Sequence, residues 1–307
     1  MRNVAIGLVI LVLLAVSLPA AADYFVENSY VRVFMGMSGE FGIKTTGGRD
    51  GGGPDTSDDN KTLVFSSTSP YNTSIALNVD SINYVLQDTT PTVAPGVISS
   101  TALSATWEID GIRVVAVYSI AEGGSGNPDV GLISFDITNI GGQSKTVGLK
   151  FGIDTMIGNN DSARITTPGG ILAVETGFGE GYSQPVPEYW QALEYSDLAN
   201  PGVVAQGSFY GAGLTPPDTF VAGRYSAVMY GSYWDYTATG DTYYDSAVGM
   251  WWRDRLLLPS QTVTLATSYG LGSFSGSAGD VAIGIAAPST ITSDSTNPFN
   301  VSVWLQN

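Results

Sequence analysis

The chain has 307 residues, 43% of them hydrophobic and 13% charged, so it can bury one large core, or one core plus part of another. Against 28 acidic residues stand 12 basic ones, and the net charge of −16 sets nucleic acid and anionic lipid aside as partners. Cysteine and histidine are both absent, which removes thiol nucleophiles, Ser-His-Asp triads, disulfides, haem attachment and the usual zinc sites.

Residues 1–22 read as a signal peptide. Arg2 gives the positive start, Val4 to Leu18 the apolar stretch, and Ala20-Ala21-Ala22 a small-residue cleavage site before Asp23. The apolar run is short for a bilayer span and no second one follows. The expectation is a secreted or cell-surface protein with no membrane span in its mature chain.

From Asp23 the pattern is of short strands punctuated by Gly, Asn, Asp and Pro. With 38 glycines, 16 tyrosines and no long helical period, the fold class is all-β. Strands are expected at Tyr30–Met35, Glu40–Thr45, Lys61–Ser66, Thr73–Val79 and Ile82–Gln87, with a Gly/Asp-rich loop over 46–60 and a Thr/Pro/Ser connection over 88–101. Asp110-Gly111 joins two alternating runs and marks a hairpin. Val147, Leu149, Phe151 and Ile153 alternate with Thr146, Gly148, Lys150 and Gly152, a central strand that ends at Asp154. After it, Gly158-Asn159-Asn160-Asp161 is a tight, oxygen-rich turn. Later strands are expected at Ile171–Thr176, Tyr189–Glu194, Val203–Phe209, Ala247–Trp252 and Thr262–Leu271.

These features predict a large antiparallel two-sheet sandwich over 23–272 and a linker over 273–280. The start of a second, truncated β domain is expected over 281–307, its last strand, Val301–Gln306, having no evident partner.

Several stretches resemble a module of secreted and surface proteins of bacteria and archaea. They include G-E-F-G-I-K-T-T-G-G (Gly39 to Gly48), V-G-L-K-F-G-I-D-T-M-I-G-N-N-D (Val147 to Asp161), P-E-Y-W-Q-A-L-E (Pro187 to Glu194) and D-S-A-V-G-M-W-W (Asp245 to Trp252). The resemblance implies location rather than chemistry. The tail around Asn297-Pro298-Phe299 resembles the opening of immunoglobulin-like, cell-adhesion-related (CARDB-like) repeats. A supersandwich of the galactose mutarotase-like kind suits the strand count. Those enzymes rely on histidine, so their activity is not carried over to a chain without it.

Candidate sites are of two kinds. Asp154, Asn159, Asn160 and Asp161 offer oxygen ligands around one turn and are candidate calcium ligands, although the spacing is not that of an EF-hand. The competing reading is that these side chains fix the turn by bonding their own backbone. Asp50, Asp55, Asp58 and Asp59 form a second acidic loop, read as solvated. Glu175, Glu180, Glu188 and Glu194 could supply the carboxyl pair of glycoside chemistry. Trp190, Trp234, Trp251 and Trp252, in an aromatic-rich second half, could stack on sugars, or else fill the core. No catalytic residue or cofactor other than calcium is expected. The leading expectation is a non-enzymatic structural or adhesive protein whose partners are cell-envelope components, other surface proteins or glycans. A carbohydrate-binding or carbohydrate-processing domain, and a filament subunit built by strand complementation, are the alternatives.

Overall fold

The computed structural model describes residues 23–47, 57–66, 72–198, 200–230 and 234–272, and the backbone of 275–277, 282–286 and 302–306. The signal-peptide segment, Asp50 and Asp55, and the Asn297-Pro298-Phe299 tail lie outside these residues.

Strands β1 (Tyr24–Glu27), β2 (Val31–Met35) and β3 (Phe41–Thr45) make a small sheet. There follow β4 (Thr73–Val79), β5 (Ile82–Val85), β6 (Val93–Ser99), β7 (Ala102–Ile109), β8 (Ile112–Ala121), β9 (Val130–Asn139) and β10 (Lys145–Asp154). Next come β11 (Arg164–Thr167), β12 (Gly170–Ile171), β13 (Thr176–Gly179), β14 (Tyr189–Leu193), β15 (Val204–Ser208) and β16 (Thr219–Arg224). The one-turn helix α1 (Tyr225–Val228) leads on to β17 (Ser246–Leu257) and β18 (Thr262–Leu271). The backbone then forms β19 (Ser275–Ser277), β20 (Ala282–Ala286) and β21 (Ser302–Gln306).

Two large sheets result, all of whose pairings are antiparallel. One has six strands in the order β13-β16-β17-β10-β4-β5, the other nine in the order β12-β11-β14-β15-β18-β9-β8-β7-β6. Their facing sides share one core with the small sheet. From the six-stranded sheet come Ile75, Leu77, Leu149, Phe151 and Met250; from the nine-stranded sheet come Leu103, Val114, Phe135 and Leu265, all essentially inaccessible. An aromatic chain ties the three together: Phe151 lies 5.6 Å from Phe135 and 6.3 Å from Phe41, and Phe41 lies 5.2 Å from Tyr118. Buried hydroxyls are satisfied across the core, Tyr269 donating to the Leu63 carbonyl at 2.7 Å and Tyr118 to that of Gly39 at 2.8 Å.

Four expectations are corrected. Lys61–Ser66 is not a strand: it touches β3 through the single bridge Lys44↔Thr62, and buries Leu63 and Val64 from an irregular path. The Thr/Pro/Ser connection contains β6, whose register against β7 slips between Val93 and Gly96, where Pro95 has no N–H to offer the ladder. Ile171–Thr176 is split between β12 and the start of β13, which belong to different sheets. The last strand has a partner: Ser302–Gln306 pairs with Ala282–Ala286, and β19, β20 and β21 form a sheet of their own.

The outer face of β10 holds the least expected packing. Alternation predicts a solvent face at Gly148, Lys150 and Gly152, yet all three are buried. Residues 225–230 and 234–238, between β16 and β17, cover them with Val228, Met229, Trp234 and Tyr236. The glycines make room. A Cβ on Gly148 would stand 2.3 Å from the Trp234 ring and 2.9 Å from the Trp252 carbonyl, and one on Gly152 would stand 2.7 Å from the Met229 sulfur. Lys150 donates from its ammonium to the carbonyls of Val228 (2.6 Å) and Met229 (3.3 Å), and sits 5.3 Å from the Trp251 ring centre. Gly148→Ala is therefore expected to displace Trp234 and cost about 1–3 kcal/mol. A lowered urea midpoint with altered tryptophan fluorescence would show it, and an unchanged midpoint would contradict the close approach.

Candidate functional site

Asp154 is the last residue of β10 and follows Gly148, Lys150 and Gly152 on the covered face. The register of β10 against β17 pairs Asp154 with Ala247, so Asp245, just before β17, comes alongside it. Asp245 has φ 56°, a left-handed conformation that aspartate tolerates better than most residues. The turn after β10 is sewn to the same place: Ser246 N–H donates to the Asp161 carbonyl at 2.9 Å, and Asp245 N–H to Ser162 Oγ at 3.2 Å.

One carboxylate oxygen from each of Asp154, Asp161 and Asp245 lies within 4.8 Å of the other two. Asp154 is 2% exposed, and its Oδ2 accepts from Asn72 Nδ2 at 2.8 Å. The same Asn72 nitrogen donates to Tyr225 Oη at 2.7 Å, and Tyr225 donates to Tyr230 Oη at 2.9 Å. Tyr230 is half exposed and Tyr244, next to Asp245, is largely exposed. A polar line thus runs from a buried carboxyl to the surface, where the Tyr230 ring lies open to solvent. Asp154 Oδ1 and Asp161 Oδ1 are both buried without a hydrogen-bond partner.

Burial, aided by the charges of Asp161 and Asp245, pushes the Asp154 carboxyl up to about 8, against the opposing hydrogen bond of Asn72. Burial also raises Asp161. Asp245 rises through burial and the Asp161 charge, with Arg224 pulling the other way. The Tyr225 hydroxyl is raised chiefly by burial and then by its bond to Tyr230.

Of the four candidate calcium ligands, Asp154 and Asp161 enter this cluster. Asn160 is engaged in the turn, its amide donating to the Glu194 carbonyl at 2.8 Å and its Oδ1 accepting from Ser162 N–H at 3.0 Å. Asn159 is exposed. Sequence reasoning missed Asp245, whose only signal was a lone acid at the head of an expected strand.

The glutamates are engaged at separate places. Glu175 binds Tyr236 Oη at 2.6 Å, Thr239 and the Arg224 N–H, which together hold its carboxyl low against the effect of burial. Glu194 pairs with Lys61 at 2.6 Å and accepts from Val203 N–H at 3.0 Å. Glu180 reaches Arg253 at 4.0 Å, and Glu188 carries the carbonyl that Phe209 N–H bonds at 3.0 Å. The tryptophans are interior. Trp190 stacks on Tyr269 at 5.1 Å, Trp252 donates to the Thr215 carbonyl at 2.8 Å, and Trp251 is sealed beneath Lys150. Trp234 is half-buried, with the Arg253 guanidinium 5.4 Å from its ring centre. Of the acidic loop, Asp58 and Asp59 stand apart from the cluster.

The chain is a large all-β, antiparallel two-sheet sandwich of the galactose mutarotase-like kind. It matches the structure of a galactose mutarotase related enzyme from Lactobacillus acidophilus with a TM-score of 0.50 and 8% identity, over 82% of this chain and 98% of that one. A putative aldose 1-epimerase from Escherichia coli K12 matches at 0.45 and 11%, over 81% and 98%. A galactose mutarotase-like protein from Clostridium acetobutylicum matches at 0.45 and 8%, over 80% and 93%. No protein-family model matches the sequence, and no curated protein does. At such identities the likeness is one of fold. The expectation of a non-enzyme is corrected to that extent: the fold is one that the Lactobacillus acidophilus galactose mutarotase related enzyme also has, so the architecture does not argue against enzymatic activity. No helix among the described residues is long and apolar enough to cross a membrane.

Proposed function

We propose that this chain is a carbohydrate-binding or carbohydrate-processing domain whose sugar seat is the mouth formed by Asn72, Tyr225 and Tyr230. The observation that carries the reading is the polar line from Asp154 through Asn72 to the Tyr225 and Tyr230 hydroxyls, ending at the Tyr230 ring open to solvent. Sugars present hydroxyls that donate and accept, and C–H faces that lie on aromatic rings. A few convergent polar groups beside an exposed tyrosine suit both. The mutarotase-like fold supports the reading over an adhesive role. With no histidine in the chain, any proton transfer here falls to carboxyls or tyrosines. The signal-peptide pattern of residues 1–22 supports an exported protein that meets glycans outside the cell.

Saturation-transfer NMR and calorimetry against a panel of monosaccharides and plant, microbial and host oligosaccharides test this. Polarimetry and product analysis run on the same panel. One or more sugars is expected to bind, and Tyr230→Ala, which alters an exposed ring, to weaken binding about tenfold or more. No binding and no turnover across the panel would end the proposal.

A further inference from the structure

We propose that Asp154, Asp161 and Asp245 form a binding site for a divalent cation of the calcium type, joining three parts of the chain that meet only in the folded state. The inference goes beyond the carbohydrate reading and stands without it. Three carboxylates converge within 4.8 Å, and two of their oxygens, Asp154 Oδ1 and Asp161 Oδ1, are buried with nothing donating to them. Asp154 is itself only 2% exposed. An ionised carboxylate only accepts hydrogen bonds, so these three groups cannot all be ionised side by side unless a cation sits between them; without one, a proton must take its place.

Turn chemistry does not answer that need. It accounts for Asn160, whose Oδ1 accepts from Ser162 N–H within the turn while its amide donates to the Glu194 carbonyl, and for the Gly158 backbone at φ 62°. The two orphaned carboxylate oxygens bond no backbone group at all.

Geometry and chemistry choose the ion. Three oxygens at that spacing place a central cation at most about 2.8 Å from each, so a contraction of a few tenths of an ångström reaches the calcium–oxygen range. Magnesium requires a tighter and more regular octahedron. The donor set is all oxygen, which does not favour zinc or copper. Asp161 and Asp245 are half-buried rather than sealed, leaving the ion a route from solvent and room for water to complete its shell.

The test uses the full chain after chelation and dialysis. Calorimetry follows the melting temperature as calcium chloride is added, with magnesium chloride and sodium chloride at matched ionic strength as controls. Calcium at about 100 times its Kd is expected to raise the melting temperature by about 5–10 °C, well beyond either control. In Asp161→Asn and Asp245→Asn the calcium response should vanish, while the chelated proteins should melt higher than the chelated wild type because one acidic group of the crowded cluster has been replaced by a neutral amide. No response of the wild type to calcium would overturn the proposal. A response that survives both substitutions unchanged would overturn it equally, by placing the ion elsewhere.

Discussion

Phe151→Ala is expected to lower the free energy of unfolding by about 3–5 kcal/mol, the largest loss from any single change considered for this protein. Phe151 lies mid-strand in β10, is completely inaccessible, and stands where the six-stranded sheet, the nine-stranded sheet and the small N-terminal sheet converge. Its truncation removes the ring's own transfer free energy. It also leaves a void between Phe41 and Phe135, whose backbones are held by separate ladders and cannot easily close in. Equilibrium urea unfolding measures the effect. Leu256→Ala, on neighbouring β17 but 64% exposed, is the matched control and should stay within about 0.5 kcal/mol of the wild type. A Phe151→Ala loss below about 1 kcal/mol would mean that the two sheets do not share this core.

Lys150 gives the second large effect, read against pH. Burial alone lowers its ammonium from the ordinary 10.5 to about 8. Below pH 8 folded and unfolded chains both hold the proton, and the folded state carries the full cost of a dehydrated charge. Between about 8 and 10.5 the unfolded chain still holds the proton that the folded chain has released. The unfolded state then binds more protons, so stability rises with pH. That gap corresponds to about 3 kcal/mol at the upper limit. The measurement is the difference in unfolding free energy between wild type and Lys150→Met from pH 7 to 10, which cancels titrations common to both. The difference should move in favour of the wild type by one to a few kcal/mol, on the order set by that gap. A flat or opposite trend would show that the ammonium is not buried as described.

How much of this could be read in advance differs from place to place. The hairpin at Asp110-Gly111 was legible because both residues adopt positive φ, 49° and 75°, and few pairs other than Asp-Gly or Asn-Gly do so readily. The inner face of β10 was legible from its period of two. Its outer face was not, since the same Gly-Lys-Gly alternation that reads as solvent-facing is also what a sheet needs when another segment lies flat upon it. Only the identity of the covering residues, some eighty positions away, tells the two apart. The β6 strand was hidden by Pro95, which usually argues against a strand and here falls at a slip in register on the sheet's edge. The carboxylate cluster was half legible. Asp154 and Asp161 are near in sequence, whereas Asp245 arrives through the pairing of β10 with β17, about ninety residues later. The interior tryptophans show the limit of residue type as a guide. Trp190, Trp251 and Trp252 have the chemistry of sugar platforms and the burial of core.

The strand order of the six-stranded sheet carries a consequence for how the polypeptide reaches its native state. β10 lies between β4 and β17, and β16, with β13 beyond it, joins the rest of the sheet through β17, so the sheet's middle stays open until residue 257 is available. A chain emerging from a ribosome therefore cannot close this layer piecemeal. Assembly must wait for nearly the whole sequence, in the slow regime typical of topologies dominated by distant pairings.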